Sequence, residues 1–119
     1  MKIAVTSVGA GPDSLLDSRF GRTAWFVIHD TETGAFESLE NQQNLTLPQG
    51  AGIQSAAAVV NAGCGVLISN HCGPKAFDVL KKGGIRVYLA ADGTVKECII
   101  KHKNGFLREL FSADVEGHW

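Results

Sequence analysis

The chain opens on a short apolar run, Lys2 to Ser7 (KIAVTS), that passes into Val8-Gly9-Ala10-Gly11-Pro12. Apolar residues followed by turn formers predict a strand feeding a loop. Trp25 to His29 (WFVIH) is aromatic and β-branched, Asp30 to Gly34 reads as a turn, and Ala35 to Glu40 alternates around Phe36 and Leu39, so a β-hairpin is expected there. From Ile53 the period changes. Ile53, Ala56, Ala57 and Val60 recur at helical spacing and stop at Asn61-Ala62-Gly63. Gly65 to Ser69 (GVLIS) is almost wholly apolar, as in a strand buried on both faces. Asn70-His71-Cys72-Gly73-Pro74 then opens a second helix through Ala76, Phe77, Val79 and Leu80, ended by Gly83-Gly84. Ile85 to Leu89 (IRVYL) is a further strand, and Val95, Cys98, Ile99 and His102 form a third helical stripe that halts at Asn104-Gly105. The segment from Phe106 onward fits no single pattern.

The order β, β-hairpin, α, β, α, β, α predicts an α/β sandwich around a mixed sheet of five strands. If the first strand runs up, the second runs down and the third up, and right-handed crossovers carry the fourth and fifth up again. Three loops then meet at one edge of the sheet: Val8 to Ala24, Gln42 to Gly52, and Asn70 to Pro74. If the first and fourth strands are neighbours with connections leaving in opposite directions, that edge holds a topological switch point, where open α/β sheets bind ligands. The site is sought there. Residues 1–107 are expected to form a single domain, followed by a flexible tail over 108–119.

Composition narrows what the edge can bind. The 119 residues include 11 Lys plus Arg against 12 Asp plus Glu, a formal charge of −1, with no basic run longer than Lys81-Lys82. A dedicated nucleic-acid binder needs a basic face that this balance does not supply. The longest apolar run, Ala56 to Val60, is far short of the ~20 residues of a membrane span. Ile3-Ala4-Val5 is too brief for a secretory signal, so a cytoplasmic protein is expected. Cys64, Cys72 and Cys98 are odd in number and contain no CxxC pair, which fits a reducing compartment.

Each converging loop carries one candidate cluster. Arg19-Phe20-Gly21-Arg22 sets two guanidiniums around an aromatic wall, able to clamp an anion, although two arginines in a loop also serve as a solvated surface. Gly50-Ala51-Gly52-Ile53 lets backbone approach closely at a helix start, where unpaired N–H groups favour an anion; two glycines before a helix serve equally well as a turn. His71-Cys72-Gly73-Pro74-Lys75 repeats the arrangement with a soft thiol, an imidazole and a cation. A thiol at a helix N-terminus is biased toward thiolate, so Cys72 and His71 are the candidate metal ligands. Cys64 and Cys98 read as packing residues, and His29 and His102 as satisfied structural histidines; His118 lies in the tail.

Several chemistries are missing. The first strand has no carboxylate to hold Mg²⁺ as a nuclease of this strand order would, and the chain has no GxxxxGK[ST] and no GxSxG. His71 and Cys72 are adjacent in one tight loop, poorly placed to activate each other. The edge reads as a receptor for something anionic. A thiol enzyme using Cys72, and an interaction or regulatory module without bound metal, remain the other classes.

The runs IAVTS, DSRFGR leading into WFVIHD, GAGIQSAA, GVLISNHCGPKAFDVL and GIRVYLA, in this order and spacing, resemble the dinitrogenase iron-molybdenum cofactor-binding domain family, which includes nitrogenase cofactor carriers. The likeness runs from Lys2 to about Leu107, and short standalone members are the closest in layout. It implies an RNase H-like three-layer fold without nuclease activity. It also implies a non-enzymatic role in binding, carrying or assembling an anionic molybdenum-sulfur cluster of Mo–Cu or Fe–Mo type, with protein partners in cluster transfer. Members often carry a Gly/Met-rich or His-rich tail, which this sequence lacks. A sulfide-coated polyanion suits the two arginines, helix N-termini and an apolar flank from Phe20 or Ile53, with or without a bond to Cys72.

Overall fold

The structure, a computed structural model, describes residues 1–41 and 50–113. The described elements are β1 (Lys2–Ser7), β2 (Trp25–Asp30), β3 (Phe36–Glu40), α1 (Ala51–Asn61), β4 (Val66–Ser69), α2 (Pro74–Lys82), β5 (Arg86–Leu89), α3 (Val95–Lys103) and β6 (Arg108–Leu110). The strands form one mixed sheet in the order β3-β2-β1-β4-β5-β6. β1 pairs antiparallel with β2 and parallel with β4, and β4 pairs parallel with β5. The expected class and strand directions are therefore present, and β1 and β4 are neighbours, the condition for a switch point, which lies between their ends.

The expected count of five strands is corrected to six. Arg108–Leu110 adds antiparallel to β5, with Leu89 opposite Arg108 and Val87 opposite Leu110, so the sheet runs past residue 107. Leu110 is buried against the core, which is what holds so short a strand in place. Residues 114–119, including His118, lie outside the described residues, as do 42–49 of the second converging loop.

Alternation along the central strands sends apolar side chains to both faces. Ala4, Phe26, Ile28, Leu67 and Val87 meet Ala56 and Val59 of α1 and Ala76 and Leu80 of α2 in one core. Ile3, Val5, Val27, Val66 and Ile68 meet Val95, Cys98 and Ile99 of α3 in the other. A three-layer sandwich results, with α1 and α2 side by side and α3 opposite. Among the described residues, no helix is long and apolar enough to cross a membrane.

Two of the three cysteines behave as read. Cys64 and Cys98 are buried in the two cores, and burial pushes the Cys64 thiol up to about 11, which suppresses its thiolate. His29 departs from the expectation of a satisfied imidazole. Its ring packs on Phe36 at 4.5 Å, but Nδ1 is buried with no hydrogen-bond partner among the described residues. Its position opposite Phe36 in the β2–β3 ladder brings the two rings together.

Candidate functional site

The loop after β1 is fastened at both ends. Its first half returns to the sheet: Val8 N–H donates to Leu15 (3.0 Å), and Asp17 N–H donates to the Thr6 carbonyl (3.1 Å) while Thr6 Oγ1 donates to the Asp17 carbonyl (2.9 Å). Its second half is tied to three elements at once. The Thr23 hydroxyl accepts from Ser7 N–H at the end of β1, and Asn41 Nδ2, just past β3, donates to the Thr23 carbonyl and to Ser55 Oγ. Ser55, on α1, donates to the Gly21 carbonyl at 2.9 Å. Thr23, Asn41 and Ser55 are buried, and each polar group placed there has a partner, as burial requires.

Gly21 seats this loop on α1. A Cβ at Gly21 would stand 2.8 Å from the Gly52 nitrogen and 3.0 Å from its Cα, so only glycine permits the approach. Gly50 caps α1 with φ 80°, a left-handed conformation that favours glycine, and so brings no capping side chain. Gly73 caps α2, also without a side-chain bond, and Pro74 takes the first helical position, where an N–H would have no helical partner. Neither helix has an acidic residue in its first turn. Two adjacent helices thus begin at the same rim with no side-chain cap and no first-turn carboxylate among the described residues.

The side chains expected at the rim divide. Arg19 is about half exposed, and its guanidinium grips Asp17: Nε to Oδ1 is 3.1 Å and Nη2 to Oδ2 is 3.2 Å. The pairing raises the Arg19 pKa, chiefly through this hydrogen bond and then through Coulombic attraction. Arg19 is therefore not the free cation of the expected two-arginine clamp. Arg22 is half-buried between Gly21 and Thr23, both of which are pinned. Lys75 is exposed on the first turn of α2, Ile53 is exposed on that of α1, and His71 is half-buried with its carbonyl accepting from Ser69 Oγ.

Two of the expected side chains lie beneath the rim in this arrangement. Phe20 is 0 % exposed and packs on Phe26 with ring centroids 5.9 Å apart, plugging the core below the loop. The Cys72 thiol is likewise 0 % exposed, within the same core, with Sγ turned toward the Gly73 carbonyl at 3.8 Å. A ligand reaching the rim from solvent would meet backbone and cations before that sulfur. Among the described residues there is no group of three or more His, Cys, Asp or Glu placed to hold a metal ion.

Asp17 is the residue that sequence reading overlooked. It is 3 % exposed, and its carboxylate accepts from Arg19 N–H (3.0 Å) and Ala24 N–H (3.2 Å) as well as from the guanidinium. Its signal was the acid heading the DSRFGR run, since Asp bonding the N–H two residues on is a recurrent turn device.

Fold and rim together define a small three-layer α/β domain whose switch-point edge brings together two helix starts, guanidinium and ammonium groups. Comparison with known proteins gives this class its family. The family model described as dinitrogenase iron-molybdenum cofactor matches residues 1–105, and the chain belongs to that family. An uncharacterised protein of Methanocaldococcus jannaschii is 36% identical over 97 residues, covering 80% of this chain and 82% of its own. The apo form of the orange protein from Desulfovibrio gigas superposes with a TM-score of 0.92 at 38% identity, covering 96% of both chains. A provisionally assigned NifB protein from Thermotoga, placed in the DUF35 family, superposes with a TM-score of 0.85 at 36% identity over 98% of both.

Proposed function

We propose that this chain binds and carries an anionic metal-sulfur cluster containing molybdenum, of Mo–Cu or Fe–Mo type, as a cytoplasmic, non-enzymatic carrier or assembly protein. Membership of a family described by the dinitrogenase cofactor supports the class of cargo, and the likeness over 96% of both chains to the orange protein, solved in an apo form, supports a binding role. The observation that carries the reading is the pair of neighbouring helix starts, α1 and α2, both without side-chain caps or first-turn acids, with the Arg19–Arg22 loop locked onto the first of them through Gly21.

The donor set matches the cargo. A thiometallate presents soft sulfides over a negative charge, and its metals already have their coordination filled by sulfur. What it requires from protein is N–H donors, delocalised cations and an apolar flank. The α2 start, Arg22, Lys75 and Arg19 supply the first two, and Ile53 supplies the third. A bare metal ion would need thiolate or imidazole ligands, and the buried Cys72 argues for noncovalent holding. Transfer to a protein partner then breaks no metal–protein bond.

Reconstitution of the apoprotein with tetrathiomolybdate and copper(I) or iron tests the reading. Visible charge-transfer bands and metal retained through desalting are expected; colourless protein that loses all metal overturns it. Arg19→Ala combined with Arg22→Ala is expected to weaken retention by about 3 kcal/mol, roughly two decades, with the fold intact by circular dichroism. A stable protein partner captured from native lysate without metal, together with no cluster uptake, would make the edge an interaction or regulatory module instead.

A further inference from the structure

Resting on that reading, we propose that Asp17 is the positioning and selectivity residue of the rim: it converts Arg19 from a mobile charge into a fixed, directional donor, so that the site reads the geometry of a thio-anion and not charge alone. The argument starts from what a buried carboxylate needs. Asp17 has two backbone N–H donors, from Arg19 and Ala24, that hold it whether or not the guanidinium is present. The guanidinium is therefore not required merely to satisfy the acid. Its bidentate grip uses two of the five N–H donors of the arginine and leaves three for a ligand, with the plane of the group set by Asp17.

This has two consequences for binding. The carboxylate offsets most of the arginine's net charge at the edge, which lowers attraction for simple anions such as sulfate or molybdate. The fixed fork also removes the ordering penalty when a rigid, multi-sulfide surface docks, because the rotamer is already held. Asp17 is in turn held by the Thr6 pair of hydrogen bonds to the end of β1, so the orientation is referred to the sheet and not to the loop.

Two variants separate positioning from bulk structure. Asp17→Asn keeps size but places an amide N–H₂ where an oxygen now accepts. Arg19→Lys keeps the charge, loses the fork and leaves both backbone bonds to Asp17 available. In Asp17→Asn, affinity for sulfate and molybdate, measured by calorimetry, is expected to rise about two- to fivefold as the cation is released. In both variants the preference for tetrathiomolybdate over molybdate is expected to fall about tenfold. The Arg19 Nε–H resonance should be sharp and slow to exchange in the wild type without any anion, and should broaden into fast exchange in Asp17→Asn.

An unchanged thiomolybdate-to-molybdate preference in a folded Arg19→Lys protein overturns the proposal, as does a mobile Arg19 Nε–H in the wild type. A uniform fall for every anion in Asp17→Asn would mark a structural role only and overturns it too. If wild type takes up no cluster while the Arg19 Nε–H is ordered and sulfate affinity rises in Asp17→Asn, the carrier reading fails and the positioning role of Asp17 stands. If Asp17→Asn does not fold, the Arg19→Lys preference and the wild-type resonance decide the matter.

Discussion

Three helices start at one edge of this sheet, and they are finished in opposite ways. At α3 the chain consumes its own N–H groups: Thr94 Oγ1 accepts from Glu97 N–H, Glu97 Oε1 accepts from Thr94 N–H, and the carbonyls of Ser14 and Pro12 take the N–H groups of Val95 and Lys96. At α1 and α2 glycine stands in the cap position, with no acid behind it. Capping is worth about 1 kcal/mol per helix, and a first-turn acid adds some tenths. Two of the three helices forgo that stabilisation, and they are the two that share a face and touch the Arg19–Arg22 loop or its core. The fold can cap a helix at this edge, as α3 does, so the starts of α1 and α2, which have no side-chain cap bond among the described residues, differ from it by local sequence and not by their place in the sheet.

The largest effect should come from separating the loop from α1. Gly21→Ala brings a Cβ to 2.8 Å from a backbone nitrogen that cannot rotate aside. The loop must lift, which is expected to cost about 1–3 kcal/mol of stability by the usual overpacking range, and cluster retention should fall at least tenfold. Denaturant melts and desalting assays report the two losses separately. Unchanged retention in a Gly21→Ala protein would mean that α1 and the loop do not act as one site.

A smaller change moves stability and binding in opposite directions. Lys75→Glu places an acid on the first turn of α2, where α3 already carries Glu97. The helix dipole then favours the variant by about 0.3–1 kcal/mol, seen as a higher denaturation midpoint. Retention of a polyanion should drop about tenfold, because a cation has become an anion at its edge. Stability and retention rising together would show that the start of α2 faces no anion.

Much of this edge was legible in the sequence, because the features that build it are periodic or are glycines. Strand alternation and right-handed crossovers gave the strand directions and brought the loops to one edge, and Gly50 and Gly52 marked a close backbone approach at the start of α1; the seating of Gly21 on Gly52 had no such signal. Side-chain direction within a loop has no period. Phe20 and Cys72 were therefore as compatible with lining a site as with plugging the core, and the plug is what forms, since an aromatic ring and a thiol both gain from leaving water. Asp17 escaped notice because a lone acid before two arginines looks like surface; its partners are backbone N–H groups up to seven residues away. β6 escaped because three residues, Arg108–Leu110, are too few for alternation to register.

The smallest effect tests the capped end. Thr94→Ala removes one member of the α3 box and is expected to lower stability by about 1 kcal/mol while leaving cluster retention unchanged. The box also has a pH signature. Glu97 is held below the ordinary glutamate range, first by the Thr94 backbone N–H and then by the Thr94 side chain. A carboxylate whose folded pKa is depressed adds stability that is fully present above its unfolded value, about 4.3, and that is lost as pH falls through the lower folded value. Wild-type stability should therefore decline below about pH 4.3 more steeply than that of Glu97→Gln. Glu97 is exposed, so the difference between the two curves is small, and it should shrink further without vanishing in the Thr94→Ala background, where the side-chain contribution is gone and the larger one, from the backbone N–H of residue 94, remains. Parallel curves for wild type and Glu97→Gln across that range would mean that the Glu97 carboxylate adds nothing to the α3 cap, which the Thr94 hydroxyl and the Ser14 and Pro12 carbonyls then hold.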